Sequence, residues 1–177
     1  MKRKTEEVEI TVKFGDEISV NTGDKVLDHL LNTLLFYSKL PVIIEASGDL
    51  PHHLWEDTGI VFGEFIKREA EKKEIARYGS AIISMDEALV LAAVDISRPY
   101  LVTDLNPEER EEGFSLTLTG QFLAALSRSL EATIHINQLS GVNSHHVIEA
   151  GFKALGVSLG QALTESTRVE STKGDRN

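Results

Sequence analysis

Residues 7–14 alternate between apolar and polar. Val8, Ile10, Val12 and Phe14 fall on one side, with Glu9, Thr11 and Lys13 on the other, which is the period of a strand with one buried face. Residues 17–20 are expected to fold back on that strand after a Gly15-Asp16 turn. The period then lengthens. Leu27, Leu30, Leu31, Leu34 and Leu35 form one apolar stripe, which predicts a helix over 25–39. Asn21-Thr22-Gly23-Asp24 offers a cap before it, and Pro41 closes it. Val42-Ile43-Ile44 reads as a strand, followed by a helix to about residue 72 whose late residues 67–73 are a solvated, mixed-charge face. After a connector at 75–79, residues 80–85 and 88–96 read as strands around Asp86-Glu87, with another near 100–103. Residues 106–112 make a charged loop whose acidic run reads as solvated surface. Phe114, Leu116 and Leu118 alternate and predict a further strand. Phe122, Leu123, Leu126 and Leu130 predict a helix over 121–130, residues 133–136 a short strand, and the chain then enters a last helix to about residue 164.

The order of elements repeats, and so does one stretch of sequence. Residues 47–56 and 140–149 both read S-G-x-x-x-H-H-x-x-E, with a Gly seven residues beyond each Glu (Gly63, Gly156), every position offset by 93. Self-similarity at a fixed offset marks an internal duplication. The expected fold class is α+β: two similar half-domains, residues 1–79 and 80–177, each a small mixed β-sheet with two helices on one face, fused into one compact domain. His29 and His135 do not obey the offset, lying 23 and 10 residues before their motifs.

The repeated stretches hold four of the six histidines in the chain. A helix turns about 100° per residue, so His52 and Glu56 share a face, as do His145 and Glu149, while His53 and His146 point elsewhere. Adjacent histidines on one helix splay too far apart to chelate one ion comfortably. Two such pairs suit two metal ions, each drawing ligands from more than one segment. Imidazole with carboxylate fits Zn, Mn, Fe or Ni, and the absence of Cys disfavours a thiolate-rich zinc site. Net charge of −10 argues against nonspecific nucleic-acid binding but leaves room for a local basic pocket for a small phosphorylated molecule. No cysteine, no apolar run after the basic N-terminus and no stretch of membrane-spanning length fit a cytoplasmic protein without a membrane partner. Lys153 follows His146 and Glu149 by seven and four residues, so it faces the same way.

Over nearly its whole length the chain resembles the imidazoleglycerol-phosphate dehydratase family of histidine biosynthesis. The segments that carry the likeness include Leu27-Asp28-His29-Leu30-Leu31, His52-His53-Leu54-Trp55-Glu56-Asp57, Arg77-Tyr78-Gly79 and Met85-Asp86-Glu87-Ala88-Leu89. Further on they include Ser97-Arg98-Pro99-Tyr100, Asn143-Ser144-His145-His146-Val147-Ile148-Glu149 and Ser171-Thr172-Lys173-Gly174. The resemblance implies a hydro-lyase that eliminates water from imidazoleglycerol phosphate to give imidazoleacetol phosphate, through a metal-bound imidazolate and a diazafulvene-like intermediate. It implies two manganese ions held by His29, His52, His53, Glu56, His135, His145, His146 and Glu149, which uses every histidine in the chain. It also implies a 24-subunit shell with sites between subunits. Glu7 would handle protons at the reacting carbons, Asp86 would assist or orient, and Glu149 acts with them. Arg77, Arg98, Lys153, Ser171 and Lys173 would hold the phosphate, by forked or point-charge contacts.

The chain departs from the family pattern at several places without losing an implied ligand. Pro51 stands where Asp usually precedes the first His pair, Tyr37 where a further His is usual, Thr33 in place of Gln and Ser84 in place of Pro, and no Gly precedes Arg98. Two other readings compete with the dehydratase. A non-catalytic metal-storage shell would need neither Glu7 nor the phosphate set. A two-metal phosphoester hydrolase would lean on carboxylates rather than on a ligand set that is mostly imidazole.

Overall fold

The computed structural model describes residues 1–167. In order, the elements are β1 (Lys2–Lys4), β2 (Val8–Phe14), β3 (Ser19–Asn21), α1 (Lys25–Ser38), β4 (Val42–Gly48), α2 (Pro51–Ala70), β5 (Tyr78–Met85), β6 (Ala88–Ile96), β7 (Tyr100–Asp104), α3 (Leu116–Leu130), β8 (Ala132–Ser140) and α4 (Ser144–Ala162). They build two four-stranded mixed sheets of the same topology, β1-β2-β4-β3 and β5-β6-β8-β7. In each, only the last pairing is parallel. The α+β duplication is therefore a repeated sheet order as well as a repeated motif.

Each sheet buries one face. Val8, Ile10 and Val12 of β2, and Ala88, Val90, Ala92 and Val94 of β6, are at most 3% exposed. The helices cover those faces and pack on one another across the duplication: α2 lies along α3, and α1 along α4. The layers thus run sheet, helices, helices, sheet, around one continuous apolar core. The Gly that follows each motif serves this contact. A Cβ on Gly63 would sit 3.0 Å from Leu130 N, and one on Gly156 would sit 2.7 Å from Leu34 O. Glycine is what lets each pair of helix backbones approach.

Two expected strands are corrected. Residues 19–21 pair in parallel with β4, not with β2. Both edges of β2 are already occupied, by β1 and β4, and Gly15 N donates to Pro41 O at 2.8 Å, so the chain leaves β2 without turning back on it. The alternation at Phe114, Leu116 and Leu118 is not a strand. Ser115 caps α3, its hydroxyl accepting from Leu118 N at 3.3 Å, and three alternating positions are too few to separate period 2 from period 3.6.

Candidate metal centre

His29 is placed by a well-anchored helix start. The Asp24 carboxylate caps α1, one oxygen accepting from Val26 N and Leu27 N and the other from the indole of fully buried Trp55 at 2.9 Å. Asp28 accepts from the backbone and hydroxyl of Thr22, both at 2.7 Å. Because α1 packs on α4, this turn delivers His29 to the second motif. There Asn143 caps α4 by accepting from the backbone N–H of both His145 and His146. The cap fixes the two histidines by the same atoms that start the helix.

The result is a convergent cluster. His29 Nε2 and His145 Nε2 lie 2.7 and 3.0 Å from the same oxygen of Glu149. Lys153 pairs with the other oxygen at 2.9 Å. The donor atoms of His29, His145 and Glu149 all lie within 4.8 Å of one another, and this is the one such group among the described residues. Burial by itself raises the Glu149 carboxyl, but hydrogen bonds from Lys153 and His29, with their charge, outweigh it and hold the group at about 2. Glu149 is thus an anion throughout the neutral range. An open pocket of about 460 Å³ adjoins it, lined by His29, Glu149 and Lys153 together with Asn32, Phe36 and Tyr37.

The acidic loop before α3 is part of this site, which corrects its reading as plain solvated surface. Glu109 exchanges backbone hydrogen bonds with the second motif, its N–H donating to Val142 O at 2.7 Å and its carbonyl accepting from Ser144 N at 2.9 Å. Glu111 N donates to the Ser144 hydroxyl at 2.8 Å, and Glu111 Oε1 lies 3.2 Å from His145 Nδ1. Phe114 stacks on the His145 ring, centroids 4.0 Å apart.

The other expected residues gather at three further places, one of them adjoining the cluster through His146, whose ring centroid lies 5.7 Å from that of His145. His53 has Nδ1 2.7 Å from Asp49 and Nε2 3.9 Å from Glu7. Its ring lies 4.1 Å from that of His52, and Glu56 accepts from Arg128 at 3.1 Å. His146 has Nδ1 2.7 Å from Glu87 and Nε2 3.7 Å from Asp86. Hydrogen bonds donated to Asp49 and Glu87 raise the pKa of His53 and His146 respectively. His135 lies on β8 opposite Ala93 and Val102, and lines an open pocket on that sheet with Asp95 and Thr133. Arg77 forks onto Asp95 at 2.6 and 3.2 Å, and the Arg98 carbonyl accepts from the Thr133 hydroxyl at 3.0 Å. Ser171 and Lys173 lie outside the described residues.

Sequence reasoning passed over Asp49, Glu87, Glu111 and Phe114. Asp49 was within reach, being four residues before His53. The other three meet their histidines only through tertiary folding.

Fold and cluster together define a class: a duplicated α+β protein with a candidate His/Glu metal centre beside a half-buried ammonium. The model of one family, imidazoleglycerol-phosphate dehydratase, matches residues 22–159. A dehydratase of that name from Pyrococcus furiosus is 50% identical over 98% of this chain and 99% of its own. One from Desulfitobacterium hafniense is 43% identical over 98% and 95%. The crystal structure of the P. furiosus protein in complex with (S)-C348 superposes with a TM-score of 0.94 at 50% identity, covering 98% of this chain and 99% of that one. That of the Staphylococcus aureus dehydratase gives 0.85 at 36% identity, covering 94% and 98%. The chain belongs to the imidazoleglycerol-phosphate dehydratase family, and so is a hydro-lyase of histidine biosynthesis acting on imidazoleglycerol phosphate. No helix among the described residues is long and apolar enough to cross a membrane.

Proposed function

We propose that this dehydration depends on manganese, with two ions per active site, in a cytoplasmic assembly whose sites lie between subunits of a 24-subunit shell. The observation that carries the metal reading is the convergence of His29, His145 and Glu149 within 4.8 Å. Two imidazole nitrogens and one carboxylate oxygen, with no thiolate in the chain, suit a borderline or hard divalent cation. The full ligand set would be His29, His52, His53, Glu56, His135, His145, His146 and Glu149. A bound ion would supply Lewis acidity at a substrate ring nitrogen and lower its N–H pKa.

The chain's own residues would do the rest. Glu7 and Asp86 stand 3.9 and 3.7 Å from the outer nitrogens of His53 and His146, where they would take and return the protons of the elimination. Lys153, held by Glu149 at the rim of the pocket, would bind the phosphate with Arg77, Arg98, Ser171 and Lys173. Backbone contacts fix Glu7: the Thr5 hydroxyl accepts from Glu7 N at 3.1 Å, and Asp49 N donates to Glu7 O at 3.0 Å.

His135 lies on the outer face of the second sheet, and His52, His53 and Glu56 lie on α2, away from the α1–α4 pairing that builds the cluster, which supports contributions from neighbouring copies. The outer face of the second sheet carries His135 with exposed Tyr78, Ile82 and Tyr100, an apolar face suited to a second copy. The outer face of the first sheet is laced by Lys2–Glu9 and Lys4–Glu9 pairs instead. Incubation of purified protein with Mn²⁺ and imidazoleglycerol phosphate is expected to yield imidazoleacetol phosphate. Free inorganic phosphate would point to a hydrolase, and bound metal without either product to storage.

A further inference from the structure

We infer that Asp49 and Glu87 are positioning residues, one for each copy of the motif, that set the proton position and ring orientation of His53 and His146. The inference rests on reading those two histidines as metal ligands. Each ring turns Nδ1 to a carboxylate at 2.7 Å and Nε2 the other way, toward Glu7 or Asp86. A carboxylate only accepts hydrogen bonds. A neutral ring that meets one through Nδ1 therefore carries its proton there and keeps a lone pair on Nε2. That is the tautomer a cation takes, and a carboxylate behind the ring also makes it more basic.

The two copies reach this geometry by unrelated routes. Asp49 sits in the turn before α2, four residues before its histidine. Glu87 comes from the β5–β6 turn, 59 residues away in sequence. The 93-residue offset places Val142 opposite Asp49, so the duplicated motif did not carry the carboxylate with it. A feature restored from elsewhere in the fold answers a need of the ring rather than a trace of ancestry. The chain lacks an Asp directly before His52, and Asp49 meets the second histidine of the pair across the first turn.

Glu87 allows a test in which shape is preserved. Its Oε1 accepts from Val142 N at 3.2 Å and Asn143 N at 3.0 Å, while Oε2 faces His146. In Glu87→Gln the amide oxygen has to stay with the two backbone donors, so the NH2 turns to the ring. His146 Nδ1 must then accept, its proton moves to Nε2, and the lone pair is lost. Asp49→Ala removes the partner of His53 altogether.

Solid-state ¹⁵N NMR of histidine-labelled, metal-free protein in alkaline buffer is expected to show His53 and His146 protonated at Nδ1 in the wild type. His146 should switch to Nε2 in Glu87→Gln, with the folded circular-dichroism spectrum retained. Equilibrium dialysis with Mn²⁺ should show affinity falling roughly 10–100-fold in Glu87→Gln and in Asp49→Ala, with Asp49→Glu restoring part of it. Wild-type rings protonated at Nε2, or undiminished Mn²⁺ affinity in Glu87→Gln, would overturn the positioning role. His146→Ala separates the two levels. If it binds Mn²⁺ as tightly as wild type, the ligand reading itself fails. If it loses Mn²⁺ while Glu87→Gln does not, only the role of Glu87 fails.

Discussion

Glu149 concentrates the electrostatics of the site: at 8% exposure it meets two imidazoles on one oxygen and an ammonium on the other. Its folded pKa of about 2 lies below the ordinary 4.5, so the stability it contributes is present above pH 4.5 and is lost as pH falls toward 2. His53 and His146 are shifted the other way, above 6.5. Their contribution is complete below pH 6.5 and is lost as pH rises through the raised values. For the metal-free protein these groups together give most support between pH 4.5 and 6.5, and thermal melts across pH should show the decline on both sides. Cation binding has the opposite slope on the alkaline side. The raised histidines must release protons to bind, so Mn²⁺ affinity is expected to climb with pH up to and through their folded values, as dialysis at a series of pH values would show. Lys153→Ala should keep Mn²⁺ and raise KM for imidazoleglycerol phosphate by roughly 10–150-fold, the worth of a charge-assisted bond of about 1.5–3 kcal/mol. Steady-state kinetics checks this, and an unchanged KM would remove Lys153 from the phosphate set. At this scale the motif residues were legible because their spacing is local. Glu111 and Glu87 were not, because each reaches its histidine from another segment, 34 and 59 residues away.

Among the elements, the four helices were the most legible, and the reason is physical. Each carries a long apolar stripe and a start or stop signal: Asp24 before α1, Pro51 in α2, Asn143 before α4. The start of α3 was missed because Ser115 acts as a cap in the middle of an apparently alternating run. The short strands β1 and β3, three residues each, hold too few positions to show a period, and pairing partners are decided by which sheet edges remain open. The glycines after the two motifs were visible as a repeat, but their purpose was not, since it lies in a helix approach. Gly156→Ala places a Cβ 2.7 Å from Leu34 O and 2.9 Å from Tyr37 Cβ, overpacking that should cost about 1–3 kcal/mol. Gly120→Ala on α3 meets nothing within 4 Å and should instead stabilise by roughly 0.5–1 kcal/mol. Denaturant titration of the two variants side by side would show the opposite signs.

For the whole molecule, the sequence carried the duplication and the family but not which donors meet within one chain. Among the described residues only the α1–α4 pairing brings three together, because His29 has no counterpart at the 93-residue offset, where position 122 is Phe. If neighbouring copies complete the sites, His145→Ala and His53→Ala chains, each inactive alone, should regain part of the activity when co-assembled. Product formation by the mixed particles checks this, and sites contained in one chain would regain none. The crossed helix partnership has a further consequence. Since α1 lies on α4 and α2 on α3, neither half covers the side of its helices that faces away from its own sheet. A gene for one half alone would yield a chain with a naked apolar flank, and two such chains would be the smallest unit able to fold. The single polypeptide is thus a tethered pair, with the tie running through the exposed turn at 71–74, and a backbone nick there should leave two pieces that remain clasped.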